Sequence, residues 1–227
     1  MRPKDSACIA AAIVAGFAAA AQAGQPTIQG WITADNHYAL YAKIDGAITL
    51  IGMNESGPGG SSGTYNWSQA ESWTITNSTD IYIAGWSDKA VAQGLLASFV
   101  VNGSAPLRSG DAVWSVIATG VNLGDGSPAP AAAQVDQFVT AANLNSLWAK
   151  PYVGGVNGVA PWGGIANIDA QARWMWAAPT EARSDTIDGG ANFDEYLIFH
   201  ASLAQVIPSA PTAAALVLVA AVGRRRR

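Results

Sequence analysis

Nine short stretches rich in β-branched and aromatic residues, several of them alternating apolar with polar, recur through the chain at 27–34, 37–43, 47–52, 71–76, 80–86, 95–101, 113–118, 172–176 and 195–201. Alternate residues of a strand point to opposite faces, so each stretch presents an apolar face that another layer must cover. Turn residues separate the stretches, and 24 glycines and 11 prolines work against long helices. The expected fold class is therefore all-β, a single antiparallel β-sandwich spanning 24–205, with one short helix at 135–144. Loops are expected at 57–63 and 124–133.

Half of the residues are apolar and 12% are charged, enough apolar material for one core of ordinary size. Residues 24–211 hold six basic and fifteen acidic side chains, a net charge of −9. Such a body repels a phosphate backbone, and its few cations are scattered, which argues against nucleic acid as a partner. The single cysteine, Cys8, precedes the body, so the body has no disulfide and no thiolate site.

The two ends differ in composition from the body. Residues 1–23 have a basic start (Arg2, Lys4), an apolar run and the small-x-small triplet Ala21-Gln22-Ala23, the pattern of a cleaved secretory signal with a short apolar helix. At the other end, residues 212–223 are mostly apolar and are followed by Arg224, Arg225, Arg226 and Arg227. Twelve helical residues reach about 18 Å against a hydrocarbon core of about 30 Å, and terminal arginines resist translocation. Residues 206–227 thus read as a transient membrane stop on an exported chain.

Pro208-Ser209-Ala210-Pro211, the apolar run and the arginine cluster together resemble the PEP-CTERM sorting tail of Gram-negative surface proteins. The family's Pro-Glu-Pro is replaced here by a Pro208…Pro211 pair without the acid. The resemblance implies processing by an exosortase-type enzyme in the inner membrane, delivery to the cell surface or extracellular matrix, and a setting rich in exopolysaccharide.

A second resemblance is carried by Ala34 to Tyr41 (ADNHYALY), Asn66-Trp67, Gly94 to Phe99 (GLLASF), Asp111 to Trp114 (DAVW) and Pro161-Trp162-Gly163. Their order is similar to that of the galactose-binding-like β-sandwich, a jelly roll found in accessory modules of glycoside hydrolases and in bacterial surface proteins. The chain departs from that pattern at Ala42 to Gly46, which replaces a tight turn, and at a longer Gly/Ser loop over 53–65.

Nine tryptophans raise the question of how many serve the core. Trp31, Trp114, Trp174 and Trp176 fall within strand patterns and are expected to be buried, with Trp174 and Trp176 on one face. Trp67 and Trp162 fall at turns, where a ring can face solvent and stack on a sugar, so they are the candidate ligand contacts.

Candidate chemistry is sparse. The Gly-x-Ser-x-Gly string Gly59-Gly60-Ser61-Ser62-Gly63 falls inside the expected 57–63 loop and not at a strand-to-helix turn, so it makes no nucleophile elbow; there is no phosphate loop, dinucleotide fingerprint or HExxH pair, and the two histidines, His37 and His200, lie apart in strands. His200 is expected to be a hydrogen-bonded or solvent-facing strand residue. Asp194 and Glu195 are adjacent and cannot face each other as acid and base. Asp35 and Asn36 fit turn chemistry; alternatively, with Asp194 and backbone carbonyls, they supply hard oxygens for a structural calcium. No other cofactor is expected. The functional expectation is a non-catalytic surface protein that binds extracellular polysaccharide, against a purely structural surface protein or, third, a secreted glycan-active enzyme.

Overall fold

The computed structural model describes residues 26–54, 67–87, 92–124, 127–178 and 195–203. The expected signal, the sorting tail with Pro208, Pro211 and Arg224 to Arg227, the loop at 57–63 and Asp194 lie outside the described residues.

Among the described residues, eleven strands and one helix follow in order: β1 (Thr27–Asp35), β2 (His37–Ile44), β3 (Ala47–Met53), β4 (Glu71–Thr76), β5 (Ser78–Trp86), β6 (Gly94–Val101), β7 (Leu107–Arg108), β8 (Ser115–Ala118), α1 (Ala132–Asn145), β9 (Tyr152–Val156), β10 (Arg173–Trp176) and β11 (Leu197–Ser202). They build two antiparallel sheets. The first runs β4-β1-β6-β10-β9 with β7 added beside β6; the second runs β3-β2-β5-β11-β8. All nine expected strands form, as does the expected helix, which starts earlier, at Ala132, so the end of the expected 124–133 loop is helical. The two additional strands are β7, with two residues, and β9 (YVGGV), whose glycines mask a strand pattern.

The sheets pack face to face through the side chains that alternation turns inward. Ile28 and Ile32 of β1 and Leu95, Ala97 and Phe99 of β6 meet Leu40 of β2, Ile83 of β5 and Leu197 and Phe199 of β11 in one buried cluster. Large and small residues are matched across the ladder: Gly30 pairs with Phe99, and the Phe99 ring covers the space a Cβ on Gly30 would fill. Trp114 closes this cluster from the turn before β8, donating its indole N–H to the Arg108 carbonyl at 2.8 Å.

Each sheet also carries apolar residues on its outer face, and these are covered, while the polar outer face of β1 and β4 away from Trp31 stays exposed. On the second sheet, Tyr41, Tyr82, Trp86, Tyr196 and Ile198 lie under α1, whose Val135, Val139 and Ala142 recur at helical spacing and are buried against them. On the first sheet the cover is irregular chain, residues 157–172. Asn157 holds it in place: its amide donates to the carbonyls of Ile165 (2.9 Å) and Ile168 (3.0 Å) and accepts from the Ile165 N–H (2.7 Å). Three apolar layers therefore result, one between the sheets and one outside each.

Candidate functional site

The outer face of the first sheet is where the residues singled out by sequence meet. Ile165, Ile168, Ala172, Trp162 and Trp174 pack there with Leu96 and Ala92, and Trp31 and Trp67 lie against the edge of this cluster, half-buried. Trp67 begins the turn that leads to β4, and its carbonyl accepts a 2.8 Å hydrogen bond from the Thr33 hydroxyl of β1. The turn is thereby pinned beside the aromatic face.

Trp162 does not face solvent as its turn position suggested. It is 6% exposed and lies flat on Trp174, with ring centroids 4.1 Å apart and planes 23° from parallel. Its indole N–H donates to Asp35 Oδ2 at 2.6 Å. The physical reason is Gly94: the two rings occupy the place of its missing side chain, since a Cβ there would lie 2.7 Å from Trp174 and 3.1 Å from Trp162. A turn closed by Gly163, at φ 75°, swings the ring inward rather than outward.

Two further expectations about tryptophan are corrected. Trp174 belongs to this outer cluster while Trp176 belongs to the inter-sheet core, 5.8 Å from Phe199, so the pair is on opposite faces. The β9–β10 ladder shifts register at this point, which breaks strict alternation. Trp31 is not a core residue, because it projects from the outer face of β1 opposite Ser72, where the sheet is one strand from its edge.

Trp31 forms one wall of an open groove of about 390 Å³, completed by Ser68, Gln69, Ala70, Ser72, Ala166 and Asn167. Three elements contribute: β1, the turn leading into β4 with β4 itself, and the Asn157-braced cover. The lining combines one broad aromatic with hydroxyl and amide groups, and none of its side chains is ionisable. Asn167 is exposed, and its side-chain amide makes no hydrogen bond among the described residues. Sequence reasoning singled out Trp67, which packs on the same aromatic cluster but does not line the groove, and did not single out Trp31, Gln69 or Asn167 as ligand contacts. The available signal was polar residues facing the same way as Trp31 on its neighbours.

Asp35 ends β1, and Asn36 alone links it to β2. Asp35 accepts from Trp162, and the Asn36 carbonyl accepts from the Asn54 amide at 2.8 Å, while the Asn54 side-chain oxygen accepts from the Tyr38 N–H at 3.1 Å. These bonds bind the strand junction to its neighbours. Among the described residues no group of three or more His, Cys, Asp or Glu is placed to hold a metal ion.

Other polar constellations lie away from the groove. Tyr38 donates to Glu71 Oε2 at 2.9 Å and accepts from the Trp73 indole at 2.7 Å inside the sandwich. His200 pairs with Asp80 at 2.9 Å on the other sheet, its ring between Tyr82 (4.7 Å) and Trp148 (5.2 Å). The hydrogen bond from His200 holds the Asp80 carboxyl below its ordinary pKa, against an opposing effect of burial. Comparison with known protein families, curated proteins and solved structures finds no match to this chain.

Proposed function

We propose that the chain is an exported, surface- or matrix-associated protein whose β-sandwich binds extracellular polysaccharide without catalysing a reaction on it. The observation that carries this reading is the groove beside Trp31, where an aromatic face adjoins uncharged hydroxyl and amide side chains. A sugar ring needs both: its axial C–H bonds pack on an aromatic plane, and its hydroxyls exchange hydrogen bonds with neutral donors and acceptors. Trp67, half-buried on the same cluster and next in sequence to the lining residue Ser68, is the second aromatic contact in this reading.

The sorting reading rests on the sequence. The signal at 1–23 takes the chain across the inner membrane, and the apolar tail with Arg224 to Arg227 holds it there until an exosortase-type enzyme processes it near Pro208 and Pro211. The relation to galactose-binding-like jelly rolls rests on the sequence blocks from Ala34 to Gly163 and is proposed on that basis.

The test is retardation of the full chain in gels containing neutral polysaccharides. Wild type is expected to be retarded, and Trp31→Ala to migrate freely while melting within a few degrees of wild type. Equal retardation of both would sink the groove as the binding site.

A further inference from the structure

The groove does not end at Trp31. Antiparallel pairing sets Trp31 opposite Ser72, Gln29 opposite Thr74 and Thr27 opposite Thr76. On both strands these residues alternate with buried ones (Ile28, Ile32, Trp73, Ile75), so all six share the outer face. Thr27, Gln29, Thr74 and Thr76 are exposed. The side chains of Gln29, Thr74 and Thr76 make no hydrogen bond among the described residues. Three cross-strand rungs therefore run out of the groove along β1 and β4, all hydroxyl or amide except for Trp31. From Trp31 to Thr27 the ladder covers about 14 Å, longer than one sugar ring.

Among the described residues this track carries no charge. No described ionisable residue lines the groove or its three outer-face rungs. On the β7 side of the same face, Arg108 and Asp169 neutralise each other at 2.8 Å. Residues 24–211 carry a net charge of −9, which repels a polyanion.

We propose that the ligand is an internal stretch of an uncharged polysaccharide, seated at Trp31 and continuing over Gln29 and Thr74, and that the site discriminates against monosaccharides and against polyuronates. This rests on the saccharide-binding reading above.

The experiment has two arms. In the first, the full chain is run in gels containing a soluble β-glucan, a galactan, a galactomannan or alginate. In the second, calorimetry follows oligosaccharides of the retarding neutral polymer from disaccharide to hexasaccharide. We expect retardation by a neutral polymer and not by alginate, and an affinity that rises about tenfold or more with length. The double variant Gln29→Ala, Thr74→Ala should lose most of that rise while keeping the disaccharide affinity and the melting point of wild type. A flat length series, or alginate retarding as strongly as the neutral polymers, overturns the proposal while leaving the groove intact if Trp31→Ala still abolishes retardation. No retardation by any polymer overturns both readings together.

Discussion

Trp162 donates its indole N–H to Asp35 at 2.6 Å, joining the irregular cover of the first sheet to the end of β1 across 127 positions of chain. One residue expected to stack on a ligand and one considered for cation binding are thus partners in a structural contact. The carboxylate supplies the acceptor that a nearly buried indole N–H requires.

The first prediction follows from that contact. Asp35→Ala strands the Trp162 N–H and should cost about 1–3 kcal/mol in urea unfolding, whereas Asp35→Asn keeps a carbonyl oxygen and should cost less. A chelator should leave the wild-type midpoint unchanged. A fall of several degrees would instead restore Asp35 and Asn36 as calcium ligands.

Gly94 is the second case. Its Cα hydrogen faces the stacked Trp162 and Trp174 rings, and a methyl group would meet Trp174 at 2.7 Å. Gly94→Ala should cost about 1–3 kcal/mol by overpacking and weaken the exciton signal of the pair in far-ultraviolet circular dichroism. A variant as stable as wild type, with an unchanged spectrum, would show that the rings yield freely.

How far the sequence reveals this molecule depends on the range of the forces involved. The nine strands first read as such were legible because alternation is local: β4 (ESWTIT) shows its buried and outward faces residue by residue. The helix was legible because Val135, Val139 and Ala142 repeat at helical spacing. By contrast, β9 pairs through a Gly-Gly step, and the two residues of β7 are too few to show a period. The groove draws on residues 31, 68–70, 72 and 166–167, brought together only because β1 is inserted between β4 and β6. Trp162 illustrates the same limit: Pro161 and Gly163 correctly mark a turn, but the side to which the ring points was decided by the absent side chain of Gly94.

A third prediction concerns acid. Asp80 is held below its ordinary pKa mainly by its hydrogen bond with His200, with the Thr79 hydroxyl assisting at 2.8 Å. A carboxyl depressed in the fold contributes stability that is complete above its unfolded value, about 4, and is lost as pH falls through the folded value. Wild type should therefore lose stability below about pH 4 more steeply than Asp80→Asn, which should be the less stable of the two near neutrality. Parallel acid limbs in urea titrations of the two proteins would remove the pair from the account of stability.

The last prediction concerns base, where the sign reverses. Tyr38, Tyr41, Tyr82 and Tyr196 are all buried, and burial raises the pKa of each phenol, to about 12 for Tyr82 and Tyr196; the negative charge of Glu71 adds to the effect on Tyr38. A phenol raised in the fold keeps its contribution below the unfolded pKa of about 10 and loses it as pH climbs towards the folded value, because the unfolded chain ionises first. Each such tyrosine makes stability fall as pH rises through that window, and four acting together steepen the fall. The share of phenolate absorbance that belongs to these four of the six tyrosines should therefore stay low past pH of about 10 and then appear in one cooperative step that coincides with loss of the tryptophan near-ultraviolet signal. Tyr82→Phe and Tyr196→Phe should each shift that step to higher pH. Gradual ionisation of all the tyrosines, with the tryptophan signal intact, would show that water reaches the phenols in the folded protein and that the outer cluster under α1 is not closed.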